Sequence, residues 1–366
     1  MFSNVYYGKT VLITGHTGFK GTWLTLWLLG MGARVVGFSK GIPTSPSMYK
    51  DANVDSRVTA YVEDIRDMKA LEDAILTERP DFIFHLAAQA IVSESYTDPV
   101  ETITTNAVGT MNVMEVLRKV DWRCSVVLIT SDKSYDNVEW VWGYKETDQL
   151  GGKDIYSGSK GAAELIIKSY YHSFFEGKNT KVRIAVARAG NVIGGGDWAK
   201  DRIVVDCMKA WYAGNSVEIR CPEATRPWQH VLEPLSGYLA LGETLAGEVD
   251  LRAEQFNFGP RAEQNRTVID LLTDLLKESK LANNQVPFYV TDNIPFKESG
   301  LLKLNCDKAL FYLKWEASLD YRDTVKFTAD WYSQYFSDVG KIYDFSLCQI
   351  SDYEAIAKKR GLKWAL

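Results

Sequence analysis

The tightest constraint on the fold lies near the start of the chain. Thr10-Val11-Leu12-Ile13-Thr14 is a β-branched apolar run that opens directly into Gly15-His16-Thr17-Gly18-Phe19-Lys20-Gly21. Trp23, Leu24, Trp27 and Leu28 then recur at helical spacing. A strand, a glycine turn and a helix starting at that turn make an anion site, because the free N–H groups of the first helical turn and the helix dipole converge there. Glycine lets the backbone approach a dinucleotide pyrophosphate. The spacing is Gly-x-x-Gly-x-x-Gly.

More strands follow in alternation with helices. Arg34 to Phe38 is the second, ending in Ser39-Lys40, where a dinucleotide site usually offers an acid to the adenosine ribose. A carboxylate there would repel a 2'-phosphate, whereas serine and lysine tolerate one, so these residues leave NAD versus NADP open. Pro43 to Pro46 reads as a loop, and Val58 to Val62 as the third strand, followed by Glu63-Asp64-Ile65-Arg66-Asp67. Asp64 is placed to accept from an adenine amino group or to cap the next helix. Asp81 to Leu86 is the fourth strand, and the small residues of Ala87-Ala88-Gln89 let the backbone lie against a flat cofactor. A helix is expected to begin at Asn106, with Met111, Met114 and Leu117 recurring every third residue. Ser125 to Ile129 and Lys181 to Ala187 complete the series.

This alternation predicts an α/β fold with a doubly wound parallel sheet of the Rossmann type over residues 1–188. The alternation weakens from residue 189. Residues 189–230 and 260–366 are expected to form a smaller α/β substrate lobe, with 231–259 returning to the first domain through the strand-like Gln255-Phe256-Asn257-Phe258-Gly259.

The chemistry sits between the fifth and sixth strands. Thr130-Ser131-Asp132-Lys133-Ser134-Tyr135 follows the apolar run, and Tyr156-Ser157-Gly158-Ser159-Lys160 comes after a polar loop. Tyrosine and lysine four positions apart share one helix face. Ionising a tyrosine at pH 7 costs about 4 kcal/mol, and a nearby ammonium lowers that, so Tyr156 is a candidate base. Ser131, Asp132 and Lys133 should stand at the carboxyl end of a strand, where open α/β sheets bind ligands.

Composition removes other classes. The net charge of -5 argues against general nucleic-acid binding. No apolar run is long enough to span a bilayer, and Met1 to Thr10 lacks the basic start and apolar core of a secretory signal, so a cytoplasmic location is expected. Five cysteines without short paired spacing and four scattered histidines indicate neither a disulfide framework nor a metal site.

Two further features suggest partners. Arg202, Arg220 and Arg226, beside Pro227-Trp228-Gln229-His230, suit bidentate recognition of a diphosphate, with the aromatics available to a base. Along the helix carrying Lys160, Ala162, Leu165, Ile166, Tyr170 and Phe174 are apolar, as are Ala163, Ile167 and Tyr171. That stripe is wider than one sheet face covers, so a homodimer through the helices following Asn106 and Tyr156 is expected, with a tetramer also open.

Taken together, Gly15-x-x-Gly18-x-x-Gly21, Leu86-Ala87-Ala88, Asn106 and Tyr156-x-x-x-Lys160 resemble the extended short-chain dehydrogenase/reductase family over roughly residues 8 to 260. Within it, Ser131-Asp132-Lys133 looks like the active-site triplet of nucleotide-sugar 4,6-dehydratases, which in most branches ends in glutamate. Lysine in that place, Gly15 to Gly21 as written and Arg226-Pro227-Trp228-Gln229-His230 are similar to the branch acting on CDP-glucose. Ser134 and Ile155 depart from that branch, where cysteine and proline are usual.

The resemblance implies a hydro-lyase that converts CDP-D-glucose to CDP-4-dehydro-6-deoxy-D-glucose with NAD, for deoxysugars of a lipopolysaccharide O-antigen. Carbon 4 is oxidised so that the carbon 5 hydrogen becomes acidic, water leaves across carbons 5 and 6, and hydride returns to carbon 6. Tyr156, helped by Lys160 and Ser131, takes the 4-hydroxyl proton, and Asp132 protonates the departing hydroxyl. Lys133 is either the carbon 5 base, which requires it neutral, or a charged stabiliser of the enolate; the base role is favoured. The resemblance also implies cofactor contacts from Thr17, Phe19, Lys20, Ile65, Gln89 and Thr105 besides the groups above. It implies substrate contacts from Ser95, Asn106, Arg188, Asn191, Arg202, Arg220, Arg226, Gln229 and His230. A 4-epimerase, a dehydratase of dTDP-, GDP- or UDP-sugars, and a silent dinucleotide sensor are the competing readings.

Overall fold

In the computed structural model, residues 1–177, 181–247, 249–261, 263–279, 281, 287–291 and 301–366 are described. Seven strands form one sheet: β1 (Thr10–Thr14), β2 (Arg34–Phe38), β3 (Thr59–Tyr61), β4 (Phe82–His85), β5 (Cys124–Ile129), β6 (Val182–Ala189) and β7 (Gln255–Phe258). Their order is β7-β6-β5-β4-β1-β2-β3, and every pairing is parallel. The order reverses between β1 and β4, which opens a crevice at their carboxyl ends, the place where such sheets take ligands. The doubly wound parallel sheet is therefore present, and β7 pairs with β6 after the long excursion of the chain.

The helices sort by what they cover. α1 (Phe19–Gly30) buries Trp23, Leu24, Leu26, Trp27 and Leu28, so it is apolar nearly all round, and the C-terminal helices pack over it. α2 (Met68–Glu78) is capped by Asp67, whose carboxylate accepts from Ala70 N at 3.0 Å. The capping alternative for Asp64 therefore falls three residues later.

The next helix starts well before Asn106. Asp98 caps α3 (Pro99–Ile103), accepting from Glu101 N at 2.9 Å, and the backbone continues through a π-helical turn at Thr104–Val108 into α4 (Gly109–Leu117). Aspartate at the cap, proline at the first position and glutamate at the third form a start signal that hydrophobic periodicity alone overlooks.

α5 (Ile155–Tyr170) carries the Tyr-x-x-x-Lys pair, and its wide apolar stripe divides in two. Ala163, Ile167 and Tyr171 are buried by the chain's own core, while Leu165 remains 56% exposed and Ala162, Ile166 and Tyr170 are only partly covered. Val100 and Ile103 on α3 are exposed as well.

The C-terminal residues pack through α6 (Leu232–Ala246), which lies on β5 and β6. Three short strand pairs, Val192–Ile193 with Gln229–His230, Thr225–Arg226 with Arg266–Thr267 and Val217–Ile219 with Phe288–Val290, stand outside the main sheet. α7 (Val268–Glu278) packs on the Arg266–Thr267 strand, α8 (Tyr321–Ser337) on Gln229–His230, and α9 (Ile342–Lys359) on α8 and α1. The chain is keyed together at Gly195, where a β-carbon would lie 2.0 Å from the Trp331 ring, and Trp23 Nε1 donates to Gly195 O at 2.9 Å.

Glu233, at the start of α6, is buried and accepts from Ser318 N, Leu319 N and Tyr353 OH, with the charge of Arg360 nearby. Burial raises its carboxyl from 4.5 to about 7 against the pull of those donors. A folded-state value above the unfolded one gives stability that is complete below pH 4.5 and is lost as the pH rises through about 7. Calorimetry should therefore show the wild-type melting temperature falling between about pH 5 and about pH 8 more steeply than that of Glu233→Gln. Parallel curves would contradict it.

Candidate active site

The glycine turn fits a dinucleotide backbone closely. Gly15 has φ +77°, and a β-carbon there would sit 2.8 Å from Ala87 N; one on Gly21 would sit 2.1 Å from Gly15 O. These two glycines let β1, the β4 end and α1 meet. At Gly18 the nearest atom to such a carbon is 3.5 Å away, so the chain's own packing does not demand glycine there. Room for an approaching phosphate is what it leaves. No side chain caps α1, and Thr17 Oγ1 is drawn to Gly41 O at 2.7 Å. The cradle therefore suits a pyrophosphate.

Along the rest of the cleft, Leu86 and Ala87 are held by Thr14, through its carbonyl at 3.0 Å and its hydroxyl at 3.1 Å. Ala88 and Gln89 follow, half-buried, and Ile65 is buried beneath Gly109. Ser39 Oγ is engaged by His16 Nδ1 at 2.9 Å, and His16 Nε2 by Tyr49 OH at 3.2 Å. Lys40 Nζ pairs with Glu101 at 2.6 Å. Asp64 is held by Arg66 through its Nε at 3.0 Å and NH2 at 2.6 Å, an engagement that competes with an adenine contact. Thr105 Oγ1 donates to Glu101 at 3.4 Å.

At the β5 end the triplet and the helical pair meet. Ser131 Oγ donates to Asp132 Oδ1 at 3.0 Å and accepts from Lys133 N at 3.3 Å. Asp132 is buried, and burial raises its carboxyl while Lys133, Ser131 and Lys20 pull it down. Lys160 Nζ lies 6.0 Å from the Tyr156 ring centroid. Burial raises the Tyr156 phenol, and a hydrogen bond with Ser131 and the charge of Arg202 oppose it. The net direction is upward, opposite to what Tyr-Lys spacing alone suggests, because removing a phenolate from water outweighs nearby charge. Lys160 is lowered to about 8 by burial and by Lys20, with Glu164 opposing.

Lys20 does more than the sequence indicates. Its ammonium faces Asp132, Asp197, Arg202 and Lys160, donates to Tyr238 OH at 3.4 Å, and is lowered by burial to about 8. Tyr238, on α6, and Asp197 were not candidates at all. Nothing in the local pattern marks either, since both arrive by chain return.

Several substrate candidates are placed elsewhere. Arg188 is 1% exposed and bound to Glu164 through Nε at 2.6 Å and also through NH2, because β6 runs two residues further than expected and carries it into the core. Asn106 clamps the Gln89 backbone, accepting from its N at 2.8 Å and donating to its O at 3.0 Å and to Ser159 Oγ at 2.9 Å, so both ends of its amide are engaged. Ser95 is buried and donates to Val92 O within its own turn. Gln229 donates to Phe258 O at 3.2 Å, and His230 is buried against Trp23 and Phe327. All five are buried within the chain, and Gln229 Oε1 and His230 Nε2 have no hydrogen-bond partner among the described residues. Arg202 and Arg220 are exposed, and Asn191 and Arg226 are half-buried. Arg202 faces Tyr156, Lys20 and Asp197, whereas Arg220 faces Asp206.

Comparison with known proteins places this geometry. The family model for GDP-mannose 4,6 dehydratase matches residues 12–327. The chain belongs to that family. It is 42% identical to the CDP-glucose 4,6-dehydratase of Salmonella typhimurium over 356 residues, covering 96% of this chain and 97% of that one. CDP-paratose 2-epimerase of Salmonella typhi is 26% identical, over 88% of this chain and 99% of its own. Among solved structures, the dTDP-glucose 4,6-dehydratase of Streptomyces venezuelae with NAD bound aligns with TM-score 0.74 at 19% identity, over 92% and 99% of the chains. An epimerase from Methanothermobacter thermautotrophicus aligns at 0.78 with 22% identity, over 93% and 96%. The shared fold is thus that of nucleotide-sugar epimerases and dehydratases. Among the described residues no helix is long and apolar enough to cross a membrane, and no cluster of potential metal ligands occurs.

The Glu164–Arg188 pair yields a stability prediction. Arg188→Met leaves a buried carboxylate unpaired and should cost about 3–5 kcal/mol in denaturant unfolding, whereas Arg188→Met combined with Glu164→Leu should cost markedly less. Additive losses would contradict the coupling.

Proposed function

We propose that this chain is a CDP-glucose 4,6-dehydratase that uses NAD. The observation that carries the reading is the meeting of Asp132 and Lys133 with Tyr156 and Lys160 at one strand end, in a chain 42% identical to a protein of that name. The glycine cradle, with Leu86 to Gln89 below it, suits the dinucleotide, which when bound supplies the hydride acceptor for carbon 4 and returns the hydride to carbon 6.

The chain's own groups do the rest. Tyr156, with Ser131 within hydrogen-bond reach, takes the 4-hydroxyl proton, and the positive charges of Arg202 and Lys160 favour the phenolate. Asp132 suits the acid that protonates the 6-hydroxyl as it leaves, because burial favours its neutral form. Lys133, which among the described residues has no ion-pair partner, is assigned as the carbon 5 base. Arg202, Arg226, Arg220 and Asn191 are the groups offered to the diphosphate. A soluble cytoplasmic enzyme of O-antigen deoxysugar synthesis fits a nucleotide-activated substrate.

We assign the uncovered stripe of α5 and the exposed Val100 and Ile103 of α3 to a homodimer interface. Leu165→Glu should then shift the sedimentation coefficient of the protein to that of a monomer; an unchanged value would reject this face.

CDP-glucose deuterated at carbon 4 should give a 4-keto-6-deoxy product with the label on the methyl carbon. A 4-epimerase would instead return the label to carbon 4, and unlabelled methyl would overturn the dehydratase reading. Running dTDP-, GDP- and UDP-glucose alongside tests the base. An acid catalyst works protonated, so activity should decline as the pH rises through the raised Asp132 ionisation. Asp132→Asn should lower kcat by about 10²–10⁴-fold and flatten the alkaline side of the pH profile.

A further inference from the structure

The corner of the cleft where β2 and β3 end holds a charge arrangement that strand-end residues alone do not reveal. Lys40, just past β2, reaches across to α3 and pairs with Glu101 Oε1 at 2.6 Å. Arg66, just past β3, binds the other oxygen of Glu101 through NH1, and its remaining face holds Asp64 at 2.6 Å. Thr105 adds a weaker donor to Glu101 at 3.4 Å. Ser39, the other group at the β2 end, is buried with its hydroxyl on His16. Two cations and two carboxylates thus balance at the end of the sheet where a dinucleotide places its adenosine ribose.

We propose that Glu101, supplied by α3 rather than by β2, makes this site select a dinucleotide with a free 2'-hydroxyl over its 2'-phosphorylated form. The inference rests on the dinucleotide reading of the glycine cradle. A 2'-phosphate brings roughly two negative charges and needs cationic donors. Lys40 and Arg66 are the cations at this corner, and both are bound to Glu101, so the phosphate must displace a carboxylate and then remain near it. A 2'-hydroxyl meets no such conflict, since it can donate to a carboxylate oxygen and carries no charge. The serine and lysine that end β2 look permissive in sequence, and α3 reverses that by approaching from the other side of the switch point.

Glu101→Gln keeps the size of the side chain and the backbone cap from Asp98 while releasing Lys40 and the NH1 side of Arg66, whose other side stays on Asp64. Binding of NAD and of NADP to the purified protein, measured by calorimetry without sugar substrate, reads the effect. Wild type should bind NAD about tenfold or more tightly than NADP, and Glu101→Gln should gain about tenfold in NADP affinity with NAD changed by less than about threefold. Lys40→Ala/Glu101→Gln should lose most of that gain, which ties it to the released cation rather than to a loosened helix. An unchanged NADP to NAD ratio in Glu101→Gln overturns the proposal while leaving the dinucleotide site intact. If wild type binds neither nucleotide, the cradle reading itself fails and takes the proposal with it.

Discussion

The buried ion pair between Glu164 and Arg188 is the contact on which the site's geometry depends. Each is 1% exposed, so neither charge is hydrated, and the pair persists only because its hydrogen bonds are otherwise completed. Thr130 donates to Glu164 Oε1 at 2.7 Å, and the Arg188 guanidinium lies 4.6 Å from the Tyr135 ring. Tyr135 OH in turn reaches Asn257 Oδ1 on β7 at 2.9 Å. Thr130 immediately precedes Ser131 and Asp132, and Glu164 stands one turn beyond Lys160. One network therefore locks the end of β5 to α5 and so sets the distance between the two halves of the catalytic cluster.

The cluster itself works by opposing desolvation. Burial raises Asp132 and Tyr156 and lowers Lys20 and Lys160, so each group is moved toward its neutral form. Lys20 and Lys160 come to about 8, close to working pH. A reaction that borrows a hydride from carbon 4 and returns it to carbon 6 needs groups that can give up and recover protons within one turnover, and such balanced groups suit that task. Lys20 is the economical part of the design: it stands in the dinucleotide turn, yet its charge is felt by Asp132 and Lys160, which links the cofactor loop to the proton-transfer groups.

The C-terminal helices contribute position more than chemistry. Trp331 on Gly195, Met48 on Gly196 and Tyr332 OH on Asp197 O at 2.7 Å fix the segment after β6, and Asp197 and Arg202 follow from it into the cluster. The three consecutive glycines at 194 to 196 make sense only in that light, since each faces another part of the chain at contact distance. Asn106 belongs to the same logic: a conspicuous polar side chain acts by bracing the backbone of Gln89 against α5.

The strands, the glycine cradle, the Tyr156–Lys160 pair and the triplet before Ser134 were all legible along the chain, because each is a local pattern whose meaning is set by neighbours within a few residues. The helix start at Asp98-Pro99 was legible too, and periodicity concealed it. The burial of Arg188, Asn106, Gln229 and His230 was not, since burial is a property of the whole packing. Glu101 is marked only as part of a helix start, and Tyr238 carries no signal of its own. What the sequence by itself determined was the order of elements and the identity of the reactive groups; the tertiary structure alone decided that Glu101 meets Lys40 and Arg66 and that Glu164 meets Arg188, because those pairs join residues that are adjacent in space and distant along the chain.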